Sequence, residues 1–281
     1  MDKIVLSNNM SIIEEVIKIL SNETRVLNPK EILWLVFGSY VINTNTTESD
    51  IDIIGIHKSF INKKRYVFNH KNIPIHFNAI NMDDLKDDGE SRLYGGYFTG
   101  KIINPHIFLY GNSKEINDSI YNAGKFIGPL AGYISKISTD TSFSQSQITA
   151  FVFIAYLSTD PSFDSYFLNY FISQEFEKIW ECLQKNTVKM LIISGSIQRV
   201  DNKYIFTDSF FSYKDFHFER MKISARHWSY GVICHDNDIK FPDTMFTKAN
   251  MKLKIIDPEG KKYANMVYFL KEQSGLSEIF I

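Results

Sequence analysis

The amino-acid sequence predicts an α/β domain with a short mixed sheet, residues 1–112, followed by a mostly helical region, residues 113–281. Three observations carry this reading. Short apolar runs bounded by turn residues recur through the first eighty positions after an opening helix, whereas apolar residues recur at helical intervals over 118–134, 146–157 and 162–182. With 281 residues, 44% of them hydrophobic, both parts have enough apolar surface to bury a core.

The elements follow in order. Ser11 and Glu14 stand at the spacing of a capping box, and Ile13, Val16, Ile17 and Leu20 repeat at helical intervals behind them, so a first amphipathic helix is predicted over 11–20. Pro29 closes the linker. The run ILWLVF, 32–37, is continuously apolar and ends at Gly38, the pattern of a strand buried on both faces. A polar stretch leads to DIDIIGI, 50–56, a second strand, and segments 65–68 and 73–80 around NHKN predict a hairpin. After the glycine-punctuated LYGGYFTGKI, the segment HIFLYGN predicts an edge strand that closes the first domain near Asn112. In the second part, 175–193 predicts a helix running into a small hairpin, an order faintly like a winged-helix unit.

Composition excludes several classes. Thirty-one Lys and Arg against thirty-two Asp and Glu give a net charge of −1, so no global field draws the chain to nucleic acid or an anionic membrane. Two cysteines, Cys182 and Cys234, are too few for a disulfide framework or a cysteine-rich zinc site. The N-terminal segment turns acidic before any long apolar stretch, which disfavours secretion. The longest apolar run, 148–157, is half of the ~20 residues a bilayer crossing needs. The expected location is the cytoplasm.

Chemistry concentrates in FGSYVINTNTTESDIDIIGI, 37–56. A strand period of two places Asp50 and Asp52 on one face, with Ile51 and Ile53 on the other. Two adjacent carboxylates repel, and a divalent cation is the economical way to neutralise them. Mg²⁺ takes one or two protein carboxylates and completes its shell with water and substrate phosphates. Gly38 leaves room for close backbone approach, and Ser39 adds a hydroxyl at the predicted start of a short helix, together a cradle for phosphate.

Gly38-Ser39 after one strand and Ser49-Asp50-Ile51-Asp52 on the next resemble the signature of the DNA polymerase β-like nucleotidyltransferase superfamily, over roughly residues 30–81. The resemblance implies that Asp50 and Asp52 hold two metal ions, Mg²⁺ or Mn²⁺, on a nucleoside triphosphate, ATP in the first instance, and that Gly38 and Ser39 contact its phosphates. Two positions depart from the family pattern. Asn43 stands where many members have glycine, and His76 stands on the strand that carries the third carboxylate, with Asn78 next on the same face. A neutral imidazole can ligate a divalent metal or take the acceptor's proton. Asp83, Asp84 and Glu90 follow, either as a substitute acid or as helix-capping residues.

Other stretches have packing as their alternative role. Gly124-Lys125 lacks the rest of a P-loop, but the resemblance implies a helical-domain lysine on the triphosphate, and Lys125 is the candidate. The cluster Arg226-His227-Trp228-Ser229-Tyr230 offers a ring and cations for a base, or a core-facing helix. Cys234-His235 with Asp236 and Asp238 lacks zinc-finger spacing. The aromatics of 161–171 recur at helical spacing and predict core, with at most one ring facing a cleft. The expected activity is transfer of a nucleoside monophosphate from an NTP to a hydroxyl of a small molecule, with release of pyrophosphate. The alternatives are transfer to tRNA or protein, and a nucleotide-binding regulatory protein that has lost turnover.

Overall fold

Burial of both faces of 33–37 makes this segment the first strand, β1 (Leu33–Phe37), where every residue is buried. The structure, a computed structural model, describes residues 9–207, apart from 27, 62, 92, 93, 95 and 160–162, and residues 255–277. Around β1 are β2 (Ile51–Ile56), β3 (Lys64–His70), β4 (Ile73–Ile80) and β5 (His106–Leu109), in the spatial order β3-β4-β2-β1-β5. The sheet is mixed: β2 and β4 run parallel, and every other neighbouring pair is antiparallel. The hairpin between β3 and β4 turns on Lys71 and Asn72, both at positive φ, which is the backbone of a two-residue turn matched to strand twist.

Helix α1 (Met10–Glu23) buries Ile13, Val16, Ile17 and Leu20, the stripe read from the sequence. The Ser11–Glu14 capping box is not formed. Asn9 is the N-cap, and its side chain donates instead to the Tyr40 carbonyl at 2.9 Å, to Asn43 at 3.0 Å and to Asn45 at 3.1 Å. The helix begins ahead of Ser11, which lies within its first turn and so is not the N-cap, and its start is tied to the loop after β1.

After the sheet come α2 (Met82–Glu90), α3 (Tyr97–Ile103), α4 (Ser113–Ser135), α5 (Gln145–Thr159), α6 (Phe163–Phe171), α7 (Phe176–Ile193) and α8 (Lys261–Ser274). Helix α4 starts earlier than the periodicity suggests, because Asn112 and Glu115 close a capping box, each bond 2.9 Å long. It packs on α2, α3, α5 and α7. The apolar stretch 162–182 is two helices, interrupted at 172–175. Helix α7 runs into the expected hairpin, β6 (Ile197–Val200) and β7 (Lys203–Phe206), which forms its own two-stranded sheet. Gly124 is a packing residue: a Cβ there would fall on Ser194 at the end of α7. Among the described residues no helix is long and apolar enough to cross a membrane. The Arg226–Tyr230 cluster, the Cys234–His235 pair and most of the basic segment 184–262 lie outside the described residues.

Candidate active site

Register across three strands builds the site. Phe37 of β1 pairs with Asp52 of β2, and Asp52 pairs with His76 of β4, so the three residues form one row across the sheet. Asp50 lies just ahead of β2, one strand period from Asp52. The imidazole Nδ1 of His76 is 3.0 Å from Asp50 Oδ2 and 3.5 Å from Asp52 Oδ1. Asp50, Asp52 and His76 are the one group of metal-ligating side chains found among the described residues, and their ligand atoms all lie within 4.8 Å of one another.

The electrostatics are those of a crowded acidic pair with a cation against it. Burial, and behind it the Asp50 charge, pushes the Asp52 carboxyl above its ordinary range, while the His76 hydrogen bond and the Lys101 ammonium act the other way. Hydrogen bonds to Asp50 and then Asp52 raise His76 to about 9, against the opposing effect of its burial. A protonated imidazole thus offsets part of the carboxylate repulsion, and a metal ion held by the same three atoms would take over that role.

The turn after β1 borders the carboxylates. Gly38 has φ 88°, a left-handed backbone that glycine adopts without strain, and a Cβ there would stand 3.3 Å from Asp52 Oδ2. The segment after Ser39 is a turn, not the short helix expected: Val41 N–H bonds to the Gly38 carbonyl at 3.0 Å, and Thr44 N–H to the Ser39 carbonyl at 3.1 Å. The turn closes through Asn43 at φ 54°. Asparagine tolerates this conformation better than most residues, which explains how it stands where glycine is usual.

Asp83 and Asp84 sit in the first turn of α2, where Asp84 and Asn81 form a capping box, and Glu90 ends that helix; none belongs to the cluster. Lys125 lies on α4 with its ammonium 5.4 Å from the Tyr121 ring centre. The lysine whose charge favours ionised Asp52 is Lys101 of α3, which is 8% exposed and lies over the rings of Tyr97 at 5.0 Å and Phe37 at 5.4 Å. In the sequence it was one lysine in a glycine-rich stretch, with no spacing to mark it. Tyr170 of α6 is buried as well, and the Asp52 charge adds to burial in holding its phenol protonated. Among the described side chains of 161–171 it is the ring that feels the Asp52 charge, while Phe167 is fully buried in the core, and the side chains of Phe163 and Tyr166 lie outside the described residues.

Helix α3 has a glycine, Gly96, at its N-cap and therefore no capping side chain of its own. Asp88 of α2 supplies the acceptors: Oδ1 takes the Gly96 N–H at 2.7 Å, and Oδ2 takes the Phe98 and Thr99 N–H groups at 2.8 Å each and the Thr99 hydroxyl at 3.0 Å. The helix that carries Lys101 is thus anchored by a buried carboxylate.

No curated protein matches the chain. A family model described as a nucleotidyltransferase domain matches residues 13–88, from α1 to Asp88 of α2, and so spans the Gly38 turn and all three clustered residues. Such a domain implies a nucleotide substrate and nucleotidyltransferase enzyme activity. Residues 13–88 are thus a nucleotidyltransferase domain, consistent with the DNA polymerase β-like superfamily.

Proposed function

We propose that this chain transfers a nucleoside monophosphate from an NTP to a hydroxyl of a small molecule, releasing pyrophosphate. The observation that carries it is the convergence of Asp50, Asp52 and His76 beside the Gly38 turn. In this reading Asp50 and Asp52 hold a divalent cation, Mg²⁺ or Mn²⁺, and Gly38 and Ser39 present their backbone to the triphosphate. The donor set fits such an ion: two carboxylates and one imidazole within 4.8 Å, with a glycine where any side chain would press on Asp52. When bound, the ion supplies charge neutralisation at the phosphate oxygens. The acceptor hydroxyl attacks the α-phosphorus in line, and Asp50, Asp52 and His76 orient the centre at which the P–O bond to pyrophosphate breaks.

The chain divides, in the same reading, into a nucleotidyltransferase unit, 1–112, and a helical unit, 113–281, that borders the acceptor. Tyr170 supports the second role, since it brings α6 within electrostatic reach of Asp52. Charge favours a small acceptor over RNA. Affinity for single-stranded RNA at physiological salt requires several neutralised phosphates, each contributing about −0.7 to the salt slope. Residues 184–262 carry 14 Lys and Arg against 9 Asp and Glu, a difference of +5, with Asp201, Asp208, Asp215, Asp236 and Asp238 interleaved.

The test is incubation of the full chain with each of four α-labelled triphosphates, Mg²⁺ or Mn²⁺, and either a pool of hydroxylated metabolites or total tRNA. Label is expected in a small-molecule product. Label in tRNA alone would move the macromolecular acceptor to first place, and metal-dependent binding of triphosphate with no labelled product in any arm would favour the regulatory reading.

Lys101 enters the proposal as the phosphate-facing cation, with Lys125 the second candidate. A buried ammonium whose charge reaches Asp52 is little screened, so its loss is expected to weaken triphosphate binding by tenfold or more, about 1.4 kcal/mol. Calorimetric titration of Lys101→Met should show that loss and Lys125→Met should show less. Equal affinities in wild type and Lys101→Met would remove Lys101 from the site.

A further inference from the structure

The donor set differs in kind from three carboxylates. An ion with bonds of about 2.1 Å holds neighbouring ligand atoms about 3 Å apart. His76 Nδ1 already stands 3.0 Å from Asp50 Oδ2 and 3.5 Å from Asp52 Oδ1, so the nitrogen occupies a position next to both carboxylates on the shell of one ion. The backbone enforces this placement, because β2 and β4 are parallel neighbours with Asp52 and His76 in direct register. Mg²⁺ selects oxygen ligands and holds nitrogen weakly, whereas the first-row transition ions accept imidazole and carboxylate together. Mn²⁺ combines that tolerance with six-fold coordination and an affinity for phosphate oxygens.

We propose that His76 is a metal ligand through Nδ1 and that it makes this a Mn²⁺-selective site, one that discriminates against Mg²⁺. The inference rests on the two-aspartate metal reading above and deepens it by assigning the metal class. The imidazole exchanges some affinity for the abundant ion against selectivity for a transition ion.

The experiment strips the full chain with chelator, titrates it with Mn²⁺ while following the paramagnetic resonance of the free aquo ion, and then displaces bound Mn²⁺ with Mg²⁺. Echo modulation from a ¹⁴N nucleus on the bound Mn²⁺ reports the ligand directly, without any turnover. In wild type, Mg²⁺ is expected to compete only at a hundredfold excess or more, and the ¹⁴N modulation to be present. In His76→Asp the preference should fall at least tenfold and the modulation vanish, and His76→Asn serves for the same comparison if a third carboxylate disturbs folding. Bound Mn²⁺ with no ¹⁴N modulation, or a Mn²⁺ to Mg²⁺ preference unchanged in both variants, would overturn the proposal while leaving the two aspartates as ligands. Mn²⁺ binding that survives Asp50→Asn and Asp52→Asn would place the ion elsewhere and overturn the metal reading itself along with it.

Discussion

Asp52→Asn is expected to lower nucleotidyl transfer by at least ~10³-fold, about 4 kcal/mol of transition-state stabilisation, while leaving the fold as stable as before or more so. The two halves of this expectation have one cause. Asp52 is 13% exposed, and burial together with the Asp50 charge outweighs His76 and Lys101 in pushing its carboxyl up. An ionised Asp52 therefore works against folding in the absence of a bound cation, and asparagine removes that burden at nearly constant volume. The same carboxylate is the middle residue of the row from Phe37 to His76, and in the proposed reading the substitution removes a ligand of the metal on which triphosphate binding depends. Pyrophosphate release and thermal unfolding, measured on the same preparations, check both halves. Turnover within tenfold of wild type would sink the role assigned to Asp52, and so would triphosphate binding equal in EDTA and in Mn²⁺.

The largest effect on stability is expected at Asp88, a residue with no chemical role. Asp88→Ala strands three buried N–H groups and a hydroxyl at the start of α3, and at 1–3 kcal/mol for each orphaned group, not fully additive, the loss comes to about 3 kcal/mol or more. Asp88→Asn separates the contributions. An amide oxygen at the Oδ2 position keeps the Phe98 and Thr99 bonds, but its NH₂ then meets the Gly96 N–H, so one orphan remains and the cost is about 1–3 kcal/mol. Burial raises the Asp88 carboxyl to about 6 against the pull of these donors. Its unfolded value is near 3.9, so between about pH 4 and pH 6 the folded chain holds the proton longer than the unfolded chain does. Stability from this group is therefore greatest below that window and falls as pH rises through it, and the Asn variant should lose that slope. Melting temperatures of wild type and both variants from pH 4 to 7 are the check. Identical profiles for wild type and Asp88→Asn would show that the carboxyl does not titrate in this window. Because α3 carries Lys101, triphosphate affinity should fall with the α3 anchor in the alanine variant before global unfolding sets in.

What local pattern could reveal, the chain revealed. The buried run at 33–37, the alternation at 51–56 and the hairpin at 64–80 are properties of neighbouring residues under a period of two, and each became a strand of the predicted kind. Gly38-Ser39 and Asp50-x-Asp52 were legible for the same reason, since both are short spacings at strand ends. His76 could be named only because the resemblance pointed to its strand, and the register of β4 on β2 then placed it against the aspartates.

The remaining decisions belong to contacts between segments far apart in the chain. Asn9 ties its side chain to the loop at 40–45 and stands as the N-cap, so the helix starts ahead of Ser11 and the Ser11–Glu14 capping box is not formed. Asp88 sits in an acidic helix that reads as a solvated surface, yet it is fully buried and caps a helix eight to eleven residues downstream whose own N-cap is a glycine. Lys101 and Tyr170 come to Asp52 from α3 and α6, and no spacing within either helix announces a carboxylate on another strand. Periodicity reports which face of an element is buried and is silent on which partner buries it. The donor pair was therefore written in the strands, while the groups that charge, anchor and surround it were settled only when the helices packed.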